Sequence, residues 1–273
     1  MSSKLGVTVI LFMWVLTAQA EDNWRDFPLG DRLKLSLGVY VPELDTVATV
    51  SVVDGLPGTE IDFESDLALD EDESTFYSSL EWRLFKRHKL TFNYYSVDRE
   101  ATTRLADGIV FDGTIFPPNL EVESFINVDV YELAYSYSFI FNERVNLAAG
   151  FGISAQDYDT GIGSTNFAAL SEDQDFVAPL PTLNAEFQYA FSDKWSLSLK
   201  GGWLDADIEI DDNEVDATIL TGTAGIRWKA LSHLGITAGY TYFNIDGDLS
   251  DDTTAANVEI EYKGPLVTVD MFF

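Results

Sequence analysis

The segment at residues 265–273, "PLVTVDMFF", decides the fold. Successive side chains of a β-strand point to opposite faces, so a strand here would have one apolar face and one face carrying Thr268 and Asp270. The segment closes on an aromatic residue, in a chain whose formal net charge is −30. The apolar side chains at alternate positions are Val267, Val269, Met271 and Phe273.

The same period of two recurs ten times along the chain, for example at residues 31–41 and 182–191. The connections between these segments alternate in length. Short ones at 86–88, 140–144, 192–194 and 229–233 separate long ones at 42–73, 100–127, 157–179, 206–216 and 245–256. An even number of strands joined by short and long connections in turn predicts an all-β, antiparallel, up-and-down barrel of ten strands. Residues 48–53 and 108–116 also read as strands, either prolonged or in extra hairpins, so twelve strands is the alternative and eight a further one.

Pairing across the short turns gives two predicted registers. Closing residues 192–194 as a turn sets Phe187 opposite Leu199 and Glu186 opposite Lys200. Apolar side chains then meet on one face of the sheet and opposite charges meet on the other. Closing residues 85–89 in the same way sets Trp82 opposite Phe92.

A soluble β-sandwich also alternates, but the composition of the two faces favours a barrel in lipid. The apolar face is rich in Tyr and Trp, whereas the opposite face carries Ser, Thr, Gly, Asn and Gln, as the lumen of a membrane barrel does. Aromatic residues also gather at two levels, as in the interfacial belts of membrane proteins. The level at the short turns comprises Trp82, Phe85, Phe139, Phe141, Phe191, Trp195, Trp228 and Phe273, and the level toward the long loops comprises Tyr40, Tyr94, Tyr131, Trp203 and Tyr242.

The alternating last strand and its terminal Phe273 resemble the integral outer-membrane β-barrel proteins of Gram-negative bacteria. The resemblance implies a multi-pass barrel in the outer membrane, in contact with lipid and lipopolysaccharide. It also implies that Phe273, Met271 and Val269 form the signal that the barrel-assembly machinery reads during biogenesis. The resemblance is specific for this class of protein and does not indicate an activity or an oligomeric state.

Residues 1–20 predict a cleaved signal peptide and export through the periplasm. Lys4 precedes an apolar run over residues 5–16, and Ala18 and Ala20 form the small-x-small pattern of a signal peptidase site. The run is too short to span a bilayer as a helix. Residues 21–273 are then the barrel domain. The chain has no Cys, so no disulfide is expected.

Nine charged residues are predicted to face the lumen. Buried charges must pair, so the set favours a polar plug, with a narrow charge-lined pore as the alternative. The nine residues are Arg32, Lys34, Glu81, Arg83, Glu132, Glu186, Lys200, Arg227 and Asp270.

The long connections carry most of the acidic residues. A solvated acidic surface is the simplest interpretation, and so strong a negative charge argues against binding nucleic acid. Carboxylates also suit Ca²⁺ or Mg²⁺, which would bridge the protein to lipopolysaccharide phosphates. No other cofactor is expected. The candidate metal ligands are Asp70, Asp72, Asp211, Asp212, Asp246 and Asp248.

The chemistry available for catalysis is sparse. In size the chain resembles the ten-stranded omptin proteases, which use acidic residues and a His at the outer rim, and other barrel hydrolases pair a Ser with a His. The two histidines, His88 and His233, both fall in predicted short turns at the opposite end. The sequence therefore predicts a non-enzymatic structural or surface-interaction role through acidic extracellular loops. The alternatives are a narrow porin-like channel for ions or small solutes and, third, a membrane-embedded hydrolase.

Overall fold

The computed structural model describes residues 24–52, 57–111, 113–165, 171–210, 213–250 and 254–273. The predicted signal peptide lies outside these residues. The described chain is all-β, apart from one 3-10 turn at Trp24–Asp26. The strands are β1 Leu33–Tyr40, β2 Glu43–Val52, β3 Ile61–Asp62, β4 Thr75–Phe85, β5 His88–Arg104, β6 Ile109–Phe111, β7 Thr114–Phe116, β8 Glu121–Phe141, β9 Val145–Ser164, β10 Ser171–Ala190, β11 Trp195–Ile210, β12 Asn213–Leu231, β13 Leu234–Ser250 and β14 Thr254–Phe272.

The main sheet closes on itself. Its order is β1-β4-β5-β8-β9-β10-β11-β12-β13-β14, and β1 also pairs with β14, so ten antiparallel strands form a barrel. This confirms the predicted ten-stranded up-and-down barrel. β2 continues the line of β1 beyond Pro42 and pairs with the other half of β14 in an unchanged register, and β3 adds two residues to its far edge. Residues within 108–116 form the separate β6–β7 hairpin.

The long connections of the barrel consist largely of strand. β9 continues to Ser164, β11 to Ile210 and β13 to Ser250, each paired with its neighbour almost to the turn. Prolonging the ladder satisfies the backbone N–H and C=O groups that an irregular loop would leave to water. The described parts of the segments at 157–179, 206–216 and 245–256 are therefore extensions of the barrel wall.

One of the two predicted registers is right and the other is wrong. Glu186 lies opposite Lys200 on the predicted pair of strands. Trp82, however, lies opposite Leu90, because the turn is tighter than expected and the ladder is irregular between Arg83 and Phe85. The error is two residues, so every side chain keeps its predicted face.

The outer surface carries a continuous apolar belt. Large side chains are exposed on it, among them Phe151 at 63% and Leu183 at 62%, as expected of a surface that faces lipid. Tyr40, predicted in the upper aromatic level, is only 2% exposed because it points into the lumen. None of the described helical residues form a segment long and apolar enough to cross a bilayer. Exposed aromatic residues mark the two levels: Trp82, Phe85, Phe139, Phe191, Trp195, Trp228 and Phe273 at the short turns, and Tyr131, Trp203 and Tyr240 at the other end.

Candidate functional site

A buried ion network crosses the lumen in the half near the short turns. Glu81 on β4 lies at its centre, with Lys34 Nζ at 3.0 Å, Lys200 Nζ at 2.6 Å and Lys89 Nζ at 3.4 Å. Lys89 also contacts Glu186 on β10 at 2.6 Å. These five residues come from five strands, so the network ties opposite walls of the barrel together. We call it the lumen ion network.

The inner part of the lumen ion network is held away from water, whereas the Lys200 side chain is 33% exposed. The side chains of Lys89 and Glu186 are only 4% and 7% exposed. Burying charges costs several kcal/mol per ion, and mutual attraction compensates only where the partners are well placed, as they are here. Lys89 was missed in the sequence, because it follows a basic turn. Its spacing of two residues from the lumen-facing Thr91 is the signal that could have found it.

The mouth at the short turns is closed by a second cluster. Asp31 accepts a hydrogen bond from Lys229 Nζ at 2.6 Å, and Arg227 lies 4.0 Å from the same carboxylate. The guanidinium of Arg83 lies 4.1 Å from the centre of the Phe141 ring. The segment before β1 packs beneath these residues through Trp24, Phe27 and the buried Leu29.

The structure thus disperses the nine predicted lumen charges over several environments. Lys34, Glu81, Glu186 and Lys200 meet in the lumen ion network, and Arg83 and Arg227 lie below it near the mouth. Glu132 accepts a hydrogen bond from Asn93, and Asp270 accepts hydrogen bonds from Thr237 and Thr268. Arg32 is exposed just before β1, where the strand alternation has not yet begun.

The half of the lumen toward the long loops is filled by apolar side chains. Residues 57–74 and the β6–β7 hairpin fold against the inner faces of the strands and contribute many of them. We call this inward segment, residues 57–74 together with β6–β7, the apolar plug. Its buried side chains are Ile61, Phe63, Leu67, Leu69, Ile109, Phe111 and Phe116, and they pack against Tyr40, Leu44, Tyr95, Val97, Val122, Ile126, Val128, Val130, Tyr158, Ile219, Phe243, Ile260 and Tyr262.

The apolar plug occupies a seam in the wall. β4 begins at Thr75, while β5 runs on to Arg104, so β2 and the far half of β5 are not joined by strand pairing in the described chain. Arg99 of β5 bridges this seam: it forms a buried ion pair with Glu64 of the plug and donates to Thr46 Oγ1 of β2 at 2.9 Å. We call the Arg99–Glu64 pair the latch.

The sequence indicates neither latch residue, because Glu64 lies in the predicted loop 42–73 and Arg99 directly precedes the predicted loop 100–127. Arg99 shares the alternation of Lys89, Asn93 and Val97, all of which face inward. Continuing the alternation of β5 beyond the membrane span places Arg99 on the inner face.

The candidate metal ligands do not form a centre in the described residues. Asp72 forms an isolated β-bridge with Glu43, and Asp246 and Asp248 are exposed on β13. Within the described chain no group of three or more His, Cys, Asp or Glu residues is placed to hold a metal ion. Asp211 and Asp212 lie outside the described residues. Asp70 contributes its backbone oxygen, 3.5 Å from Arg99.

Both histidines lie at the short-turn end. His88 Nδ1 lies 2.7 Å from the Tyr135 hydroxyl, and His233 Nδ1 lies 3.3 Å from the Phe272 carbonyl oxygen. Of the predicted assembly signal, Val269 and Phe273 are exposed on the outer face, and Met271 is half-buried there.

No protein-family model and no curated protein matches this chain. Solved structures do match it. The outer-membrane protease OmpT of Escherichia coli has a TM-score of 0.50 at 9% identity, over 88% of this chain and 97% of that chain. The outer-membrane protein OprG of Pseudomonas aeruginosa has a TM-score of 0.43 at 10% identity, over 88% and 95%. The attachment invasion locus protein Ail of Yersinia pestis has a TM-score of 0.29 at 10% identity, over 85% and 97%.

At such identities the likeness concerns the fold alone. The fold, with its apolar outer belt, is that of the Gram-negative outer-membrane β-barrels, as the terminal strand predicted. A shared barrel therefore assigns no activity to this chain.

Proposed function

We propose that this protein is a non-conducting, non-enzymatic outer-membrane barrel that acts at the cell surface through an acidic rim. The observation that carries the proposal is the filling of the lumen at three successive levels. The mouth cluster around Leu29, the lumen ion network and the apolar plug follow one another along the barrel axis.

A porin-like route would need a continuous water path between those levels. The network ammonium groups contact the network carboxylates at 2.6–3.4 Å, which leaves no gap for a hydrated ion between them. The plug is as tightly buried, since Phe116 is 0% exposed and Leu67 only 2%. Ten strands enclose little space to begin with, and side chains occupy it.

The acidic rim is the outward face of the strand extensions beyond the upper aromatic level. Carboxylates lie directly opposite one another there, as at Asp216 and Asp248 on β12 and β13 and at Asp246 and Glu259 on β13 and β14. Like charges at opposed positions repel, so the surface favours any cation that approaches. The rim comprises Asp98, Glu100, Glu123, Asp129, Asp157, Asp159, Asp216, Asp246, Asp248 and Glu259.

The partner class that suits such a rim is cationic. A basic protein surface would be steered to it electrostatically, with an association rate that falls as salt rises. Divalent cations would let the same rim meet lipopolysaccharide phosphates.

Single-channel recording tests the proposal. The refolded mature protein in a planar bilayer should stay silent, with folding confirmed by heat-modifiable gel mobility. A variant lacking plug residues 59–70 should stay silent as well, because the ion network remains. Steady openings of the unaltered protein, with selectivity that changes in Lys200→Gln, would overturn the proposal in favour of a channel.

A further inference from the structure

A cavity of about 140 Å³ lies in the lumen between the lumen ion network and aromatic side chains of the barrel strands. We call it the mid-lumen chamber. Lys200 and Glu186 form its floor, and aromatic side chains cover its upper part. A chamber of this size holds several waters or one small organic molecule. Its polar wall includes Asn93, Glu132 and Ser154.

The polar wall presents hydrogen-bond acceptors that lack donors. Asn93 Nδ2 donates to Glu132 Oε2 at 2.7 Å. A carboxylate only accepts, so the amide must turn its nitrogen toward Glu132 and keep its oxygen free. Within the part of the chain that the structure describes, Asn93 Oδ1 and Ser154 Oγ are both buried without a hydrogen-bond partner. Ser154 lies directly opposite Glu132 on the neighbouring strand and is 8% exposed, so the three groups border one part of the chamber.

Glu132 is also a lumen carboxylate that takes part in no ion pair within the described chain, and it accepts a hydrogen bond from Asn93. Glu81 and Glu186 each contact lysine ammonium groups within 4.0 Å, whereas in the described chain Glu132 takes part in no such pair. Lys200, the network cation that also lines the chamber, is paired with Glu81 at 2.6 Å. An ionisable group left unpaired at membrane depth marks a functional site by default.

The remainder of the wall determines what kind of cation fits. Tyr77, Tyr95 and Phe243 line the chamber, and the faces of such rings attract ammonium groups and pack against alkyl chains. A divalent metal prefers six or more oxygen ligands with several carboxylates. The chamber is lined by two carboxylates, and one of them, Glu186, is already paired with Lys89. An anion would meet Glu132 and Glu186.

We propose that the mid-lumen chamber binds a small organic ammonium ion. Its N–H groups donate to Glu132, to Asn93 Oδ1 and to Ser154 Oγ, and its apolar body lies against the aromatic lining. The site is independent of the acidic rim, and a silent barrel can hold it, because binding requires an occupied chamber and no through-flow.

A ligand series on refolded protein in detergent tests the site, with thermal unfolding and titration calorimetry as readouts. The probes are n-butylammonium, methylammonium, tetramethylammonium and potassium chlorides at equal ionic strength. A ligand that binds only the folded state raises the midpoint in proportion to the logarithm of its concentration. We expect n-butylammonium to give the largest shift and methylammonium a smaller one. Tetramethylammonium, which has no N–H donor, should match potassium.

Glu132→Gln should abolish the n-butylammonium shift, and Glu261→Gln should retain it, because Glu261 accepts from Tyr242 and Lys263 on the outer face. Ser154→Ala should weaken calorimetric binding about fivefold by removing one acceptor. It also serves as the test if Glu132→Gln does not refold. The proposal fails if the unaltered protein shows no shift, which would mean a chamber filled with water. It fails equally if tetramethylammonium acts like n-butylammonium, or if both Glu132→Gln and Ser154→Ala bind as the unaltered protein does.

Discussion

The two halves of the lumen are closed by different means. Near the short turns, side chains of the barrel strands themselves meet in the lumen ion network. Toward the long loops, a segment between strands folds inward and fills the space with apolar groups. The first closure follows from strand register, and the second depends on the placement of one loop.

This difference predicts different responses to mutation. Charges buried in the ion network are mutually dependent, so removing one leaves its partners uncompensated. Apolar side chains of the plug contribute individually, in proportion to the surface and volume that they fill. A single substitution in the lumen ion network should therefore destabilise the whole network, whereas each substitution in the apolar plug should cost only the contribution of its own side chain.

The largest effect is expected at Glu81, which contacts three lysines. Glu81→Gln leaves buried ammonium groups without their shared partner and should lower the free energy of unfolding by about 4 kcal/mol. Urea titration in lipid vesicles measures it. Glu123→Gln on the exposed rim is the matched control, with an expected change within about 0.5 kcal/mol. A loss at Glu81 no greater than that of the control would mean that the network does not hold the barrel together.

Truncating Leu67 in the apolar plug should lower the free energy of unfolding by about 3 kcal/mol. Leu67→Ala removes a fully buried side chain and leaves a cavity among apolar neighbours. The same urea titration applies, with the exposed Leu231→Ala as control. Planar bilayers should remain silent, because the ion network below is intact. Ion conductance in this variant would show that the plug alone closes the lumen.

The latch should govern local opening of the plug. Glu64→Gln removes one partner of the buried Arg99 and should cost about 2 kcal/mol of local stability, which corresponds to about thirtyfold faster hydrogen exchange over residues 57–74. Mass spectrometry of peptides from that segment measures the change. Glu60→Gln, an exposed position in the same loop, should exchange as the unaltered protein does. Equal exchange in both variants would mean that apolar burial alone holds the plug.

The smallest effect concerns the acidic rim. In vesicles containing lipopolysaccharide, chelation of divalent cations should lower the unfolding midpoint by about 2 °C, since cations no longer offset the opposed carboxylates. The double variant Asp216→Asn with Asp248→Asn should show a smaller loss, because it removes one opposed pair. An unfolding midpoint that does not change on chelation would show that divalent cations have no part in the proposed surface role.

Part of the candidate site can be predicted from the alternation of side chains along the strands. Lys34, Glu81, Glu186 and Lys200 lie on the inner face at the predicted positions, because the side-chain period of a strand is local and survives a register error of two residues. Lys89 is not among the predicted lumen charges, because it directly follows the basic turn at 86–88, where the alternation begins. The latch was missed because strands were assumed to end with the membrane.

Alternation, terminal aromatics and connection lengths are local properties of the chain, and they suffice to predict a closed ten-stranded barrel with a lipid face. The polar lumen that they also predict is found only in the half near the short turns, because apolar side chains fill the other half. The inward placement of residues 57–74, the inward turn of Tyr40 and the pairing of particular charges depend on closure. Closing the barrel brings Lys89 against Glu186, 97 residues away, and within the described residues it gives Glu132 no ion-pair partner. Such pairings depend on the curvature of the barrel and on the space left inside it, and neither can be derived from the alternation of residues along the chain.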